Sequence, residues 1–323
     1  GKGGAIYTDK SITVKAENGE STFSGNTANG KSNAIYVNSS DATLTLNAGK
    51  NGTINMNDGI SGTDNKYSLN ITGSSSGKIN LNDTVENANV TMSNITLNMG
   101  KDNLMQGDSL NLQSGVLNLQ NGEVGNMDLS KFSLSGNAKV KVDVDLRNET
   151  MDRINADNYG SVKGTINVSS MKILTDSKSR WAKVFFADPA EKKHVKTSLY
   201  KVYSPIYRYF VRYDKSSGYF IFNRGAEDIS WWFNPAVLSS AIAQQAAYMN
   251  QLNNYNTALY HSDTYMTLPR EVRENTGNLF DEESDTMTYY QIQEQIKSIW
   301  IRPFTSIEHV TLRHGPKISS LNY

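Results

Sequence analysis

The chain has 323 residues, no cysteine, 32 basic against 32 acidic side chains, and 37% hydrophobic residues. Zero net charge at a pI of about 7.1 argues against a nucleic-acid binder, whose affinity would come largely from phosphate neutralisation. Without cysteine there is no disulfide framework, iron–sulfur cluster or thiolate zinc site. The four histidines, His194, His261, His309 and His314, are too scattered to suggest a metal cluster, and no cofactor is expected.

The apolar fraction lies below the ~45–50% usual for globular chains, yet 10% aromatics is too many for a disordered one. Gly1-Lys2-Gly3-Gly4 has neither the charged nor the apolar region of a secretory signal, so the sequence is expected to be a fragment that starts elsewhere. No run approaches the ~18 apolar residues of a membrane helix. Composition shifts along the chain. No proline precedes Pro189, and of the 17 tyrosines only Tyr7, Tyr36 and Tyr67 fall in the first 150 residues.

The first region, residues 1–180, is a series of short alternating runs. Ser11-Ile12-Thr13-Val14, Thr43-Leu44-Thr45-Leu46, Thr53-Ile54-Asn55-Met56 and Ser68-Leu69-Asn70-Ile71 come first. Ile79-Asn80-Leu81, Val90-Thr91-Met92, Thr96-Leu97-Asn98-Met99, Leu117-Asn118-Leu119 and Val140-Lys141-Val142-Asp143-Val144-Asp145-Leu146 follow. Strict period-2 alternation marks strands with one buried and one wet face, and Gly, Asn, Asp and Ser punctuate the gaps as turn residues. The region reads as all-β. Helical crossovers are absent, which removes a doubly wound sheet, and Asn-Gly or Asp-Gly hairpin turns do not mark each junction.

Short strands with small polar turns suit a right-handed parallel β-helix, in which every coil stacks on the last. Inward aliphatics then form ladders, and inward or corner Asn can bond the coils above and below. An antiparallel sandwich is the alternative. Within the coils, Asp143 and Asp145 share one side of a strand. Such a pair can bind a cation or do acid–base work, but Lys139 and Lys141 share its parity, which favours a solvated strand face.

Residues 181–233 turn aromatic and, as far as Arg224, basic. Val184-Phe185-Phe186, Tyr207-Arg208-Tyr209-Phe210-Val211-Arg212-Tyr213 and Gly218-Tyr219-Phe220-Ile221-Phe222 are longer alternating strands. A solenoid end has unpaired edges and an open core, so large aromatics are expected there as a cap. Tyr207, Arg208, Tyr209, Arg212 and Tyr213 could instead stack on sugars or single-stranded nucleic acid. Trp231-Trp232-Phe233 reads equally as a membrane-interface belt or as a lid between solenoid and helix.

Residues 234–298 begin with a helix to about Tyr265, Asn234 as its N-cap and Pro235 as its first helical position. Ala241, Tyr248, Leu252, Tyr255 and Leu259 form its apolar stripe, and an acidic linker with Glu271, Glu274, Asp281, Glu282, Glu283 and Asp285 follows. Residues 299–323 read as two strands around the turn His314-Gly315-Pro316.

Two sets of residues carry a resemblance. Gly3-Gly4-Ala5-Ile6 followed by Phe23-Ser24-Gly25-Asn26 resembles the paired GGAI and FxxN repeats of polymorphic outer-membrane proteins and related autotransporter passengers. Asn33-Ala34-Ile35-Tyr36 resembles a further, degenerate copy. Near the end, Trp300-Ile301-Arg302-Pro303-Phe304 resembles the opening strand of an autotransporter translocator barrel. Two such strands cannot close in lipid, so the rest of that barrel is expected outside this fragment.

The resemblance implies a Gram-negative outer-membrane protein of type V secretion whose solenoid is displayed at the cell surface. Its implied partners are a glycan or protein on host or neighbouring cells and the outer-membrane assembly machinery, with no nucleic acid. No Gly-x-Ser-x-Gly elbow, His-Glu-x-x-His helix or P-loop is present. A structural or adhesive rod without catalysis is the expected function. The alternatives are a solenoid carbohydrate-active enzyme and a junction that only assists folding and secretion of an upstream effector.

Overall fold

The computed structural model describes residues 3–188, 190–224, 243, 244, 247, 248, 251, 306–311 and 317–322. The chain divides into two units, Gly1–Asn234 and Pro235–Tyr323.

In the first unit the chain winds through three faces in turn, and each strand pairs with its counterpart one coil away. The first face holds Ile6–Thr8, Ile35–Val37 and Ile60–Gly62. The second runs from Ile12–Ala16 through Thr43–Ala48, Tyr67–Gly73, Ala88–Ser93, Ser109–Leu112 and Asn126–Leu134 to Arg153–Val162. The third runs from Glu20–Phe23 through Thr53–Met56, Lys78–Leu81, Thr96–Met99, Gly115–Asn118, Asn137–Asp145 and Thr165–Thr175 to Val195–Thr197. Pairing between coils is parallel throughout these ladders. The region is a parallel β-helix, and the sandwich is excluded.

Register explains how so few apolar residues make a core. On the second face Leu44, Leu69, Val90, Leu110 and Phe132 stack rung on rung. On the third, Ile54, Ile79, Leu97, Leu117 and Val140 do the same. All ten are buried, and each contributes about 1.5–3 kcal/mol on leaving water. The corner between these faces is turned at Asn18, Asn51 and Asn94, whose φ values of 51°, 52° and 51° are left-handed. Asn tolerates that region better than other residues with a Cβ, which is one reason the sequence is so rich in it.

The asparagine ladder does form, but it faces outward rather than into the core. Asn80 donates to Asn55 at 2.6 Å, Asn98 to Asn80 at 2.7 Å and Asn118 to Asn98 at 2.9 Å. These residues alternate with buried Ile54, Met56, Leu81, Leu97 and Leu117, so they occupy the half-buried outer side of the third face.

The coils change as they advance. The first face shrinks from three-residue strands to one bridge, Ile60 to Val85, and then to a 3-10 turn at Asp102–Met105. Strands of the other two faces lengthen afterwards, from four residues at Ser109–Leu112 to 10 at Arg153–Val162 and 11 at Thr165–Thr175.

Trp181–Phe185, Tyr219–Asn223, Arg208–Asp214 and Lys201–Tyr203 then form a separate antiparallel sheet, in that order. Its inward residues Ala182, Val184, Val202, Tyr209, Phe220 and Phe222 are buried in the same apolar cluster as the coils. Interposed in sequence, Val195–Thr197 pairs in parallel with Thr165–Thr175 and adds one more rung to the third face. The stretch from Trp181 is therefore not purely a cap.

In the second unit Ala243, Gln244, Ala247, Tyr248 and Gln251 are helical and exposed, including the expected stripe residue Tyr248. Ser306–Thr311 pairs antiparallel with Lys317–Asn322. Among the described residues there is no closed barrel, and no helix is long and apolar enough to cross a membrane. The other stripe residues, Ala241, Leu252, Tyr255 and Leu259, lie outside the described residues, as do Trp231, Trp232 and Phe233.

Candidate functional site

The motif residues at the start of the chain build one local structure. Gly4 N–H donates to Asn33 O at 2.8 Å and Ala5 N–H to Ala34 O at 2.9 Å. Ile6 and Tyr7 then pair with Ile35 and Tyr36. Gly3-Gly4-Ala5-Ile6 and its degenerate copy Asn33-Ala34-Ile35-Tyr36 are thus successive rungs of the first face. A side-chain carbon at Gly4 would lie 2.7 Å from both Asn33 O and Thr27 N, and one at Gly3 would overlap Ile6 O. The doubled glycine permits this close approach.

Phe23 packs half-buried against the core, and Asn26 is tied to Asp58 one coil away. The Asp58 carboxylate is 6% exposed. It accepts the N–H of Gly25 at 3.1 Å, the N–H and side-chain amide of Asn26 at 2.7 Å each, and the Ser32 hydroxyl at 3.4 Å. Burial opposes ionisation here. The Asn26 and Gly25 N–H groups, the Asn26 amide and the Ser32 hydroxyl outweigh it and hold this carboxyl below its ordinary value.

The clamp secures a short hairpin, Thr27–Ala28 against Lys31–Ser32. Its turn is Asn29-Gly30 with φ of 52° and 73°, the positive pair a type I′ turn requires. A cleft of about 340 Å³ lies between this hairpin and the first face, with Lys31, Ser32, Asn33, Tyr36, Ser61 and Glu86 among its lining. Tyr7 lies over Tyr36 with ring centroids 5.7 Å apart and planes 8° from parallel. Asn33 donates its amide to the Ser61 hydroxyl at 2.7 Å.

The second feature is a buried set of carboxyl groups. Asp143 keeps the outward parity of Lys139 and Lys141 but is 0% exposed, so the expected solvated face does not hold for it. The loop at Asn121-Gly122 covers it, and Gly122 N–H donates to Asp143 Oδ2 at 2.6 Å. Asp152 is also 0% exposed and accepts Gly125 N–H at 3.1 Å and Asp143 N–H at 2.6 Å. Asp102, 6% exposed, accepts the Asn121 amide at 3.0 Å.

Burial, then the neighbouring carboxylates, pushes Asp102 up to about 6 and Asp152 up to about 8, and burial raises Asp143 as well. Asp145 is different. It accepts hydrogen bonds from Arg147, Asn148 and Thr175 and is held below its ordinary value, because these outweigh its burial. Three perturbed carboxyls do converge, but their exposures place them beyond a polymer's reach. Among the described residues no group of three or more His, Cys, Asp or Glu side chains could hold a metal ion.

The five aromatic and basic cap residues do not form one exposed surface. Tyr209 is 0% exposed and Arg208 7%, and Tyr209 donates its hydroxyl to Asp176 at 2.9 Å. Tyr207 packs edge-on to Tyr209 with the Arg224 guanidinium 4.7 Å from its ring centre. Tyr213 donates to Lys192 O at 3.0 Å. Arg212 alone of the five is exposed, lining a shallow, mainly apolar cleft with Trp181, Tyr200 and Phe210. Of the remaining motif residues, Trp300, Arg302, Pro303 and Phe304 lie outside the described residues. No protein family, curated protein or solved structure matches this chain.

Proposed function

We propose that this chain is part of a surface-displayed autotransporter passenger, a stiff rod that adheres to host, mucus or neighbouring-cell surfaces and catalyses nothing. The observation that carries the reading is the division of its polar groups. Outward positions of the second and third faces are largely Asn, Ser and Thr, whereas the converging carboxyls Asp102, Asp143 and Asp152 are buried, with Asn121-Gly122 across Asp143. Neutral amides and hydroxyls on a rigid face suit recognition of polar polymers without attack on them. The family reading rests on the Gly3–Ile6 and Phe23–Asn26 motifs, whose residues form the opening rungs and the Asp58 clamp. Export to the outer membrane through a translocator barrel belongs to the same proposal.

The test is binding of the purified full chain to arrayed glycans, mucin and matrix proteins, with polysaccharide cleavage followed in parallel. Saturable binding without cleavage is the expected result. An absence of binding to every surface would favour the module that only assists folding and secretion. Cleavage would favour the enzyme.

A further inference from the structure

We propose that Asn121-Gly122 is a self-modification site, where the glycine nitrogen closes on the asparagine side chain and converts it, through a cyclic imide, to aspartate or isoaspartate. The inference is independent of the adhesive reading, because the reaction is one of the chain upon itself. Asn-Gly pairs occur at Asn18, Asn29, Asn51 and Asn121. Glycine has no Cβ to hinder such a ring closure. The reaction still makes three demands. The attacking N–H must lose its proton, the amide oxygen must take up negative charge, and the departing nitrogen must gain a proton.

At Asn121-Gly122 each of the three atoms is held by a group suited to its demand. Gly122 N–H donates to Asp143 Oδ2 at 2.6 Å. Asn121 Oδ1 accepts the Glu123 N–H at 3.0 Å. Asn121 Nδ2 donates to Asp102 Oδ1 at 3.0 Å. Asp143 is suited to act as the base. Its Oδ1 has no hydrogen-bond partner among the described residues although the residue is 0% exposed, and a buried carboxylate short of donors holds a proton more tightly. Asp102, raised by burial to about 6, has a proton to give close to neutral pH. Gly122 is exposed, so water reaches the loop. None of the other three pairs is arranged in this way. Gly52 N–H goes to Gly49 O at 3.1 Å, and among the described residues no carboxylate accepts the N–H of Gly19 or Gly30.

The step balances without a cofactor or an oxidant. Asp143 takes the Gly122 proton as the nitrogen bonds to Asn121 Cγ, and the Glu123 N–H steadies the oxyanion. The Cγ–Nδ2 bond then breaks. Nδ2 leaves as ammonia with a proton from Asp102, and the proton on Asp143 replaces it through solvent. Water then opens the imide at either carbonyl, giving aspartate or isoaspartate. The product has a carboxylate where an amide donated to Asp102, so that hydrogen bond is lost and a like charge takes its place. The loop across Asp143 is thereby loosened, once and irreversibly.

The experiment incubates the full chain at neutral pH, folded and in urea, and follows amide-to-acid conversion at all four pairs by peptide mapping and mass spectrometry. Folding should speed conversion at Asn121 at least about tenfold, the low end of what a positioned acid or base supplies. Asp143→Asn should return Asn121 to its unfolded rate. Asp102→Asn, which keeps an acceptor for the Asn121 amide but has no acidic proton, should slow it as well. In both variants Asn18, Asn29 and Asn51 should convert as in the folded parent, with an unchanged β circular-dichroism signal. Conversion at Asn121 that is no faster folded than unfolded overturns the proposal, as does a folded rate that neither substitution changes.

Discussion

The coils and the cap solve opposite problems with different residues. In the coils the same inward position is reused at each rung, so Ile, Leu and Val meet copies of themselves and small side chains suffice. In the cap nothing repeats. Tyr209, Phe220 and Phe222 must span a whole opening once, and they do so as large rings packed edge to face, with Tyr209 to Phe222 at 6.5 Å and Phe186 to Phe220 at 5.5 Å. The difference teaches that low apolar content is compatible with a continuous core when the register is shared, and that aromatics concentrate where sharing ends. The unusually low apolar fraction of the chain averages these two economies.

The comparison breaks most visibly if the cap is opened. Phe222→Ala removes a fully buried ring and should cost about 3–5 kcal/mol. Hydrogen exchange should then rise first in Arg153–Val162 and Thr165–Thr175, the coils nearest the cap, with the earliest coils protected longest. Uniform loss of protection along the coils would mean that the two regions fold as one unit.

A pH series compares the two regions through their buried acids. Asp152 in the coils and Glu191 beside the cap are each raised by burial and neighbouring carboxylates to about 8. Each binds its proton more tightly folded than unfolded, where carboxyls titrate at about 4. Their contribution is therefore full below about pH 4 and is lost as pH climbs through 8, by roughly 1.4 kcal/mol per pH unit for each proton released. Urea unfolding at pH 5 and pH 8.5 should show lower stability at the higher pH. Asp152→Asn and Glu191→Gln should each reduce that difference. Identical pH dependence in parent and variants would show that neither group carries it.

Smaller effects concern the outer surface. Asp58→Ala strips the N–H groups of Gly25 and Asn26 of their acceptor and should cost about 1–3 kcal/mol, with proteolytic nicking concentrated at Asn29-Gly30. Asn98→Ala breaks two rungs of the outward ladder, to Asn80 and Asn118. It should cost only about 1 kcal/mol in thermal unfolding, because both bonds are half-exposed.

Much of this was legible in the residues. Alternation located the strands, missing helices and turn chemistry pointed to stacked coils, and the aromatic runs marked the cap. Less legible was anything that depends on what lies over a strand's outer side. Alternation placed Asp143 outward correctly, but only the fold brings Asn121-Gly122 across it. The same limit hid the fate of Arg208 and Tyr209, which share a strand with exposed Arg212 yet are buried. The row of Tyr7, Tyr36, Ser61 and Glu86 along the first face was invisible because its members are 25 to 29 positions apart and meet only through register. Asn29-Gly30 was a local signal that could have been read, being the Asn-Gly pair of a tight hairpin.

The central claim is that the chain holds a polymer without cutting it. Size analysis of a neutral polysaccharide, eluted after prolonged contact with the saturated protein, tests this most directly. The account predicts retained polymer of unchanged length, in the parent and in Asp143→Asn alike. Shortened polymer, with shortening abolished by Asp143→Asn or Asp152→Asn, would contradict it and make the buried carboxyls the centre of an enzyme.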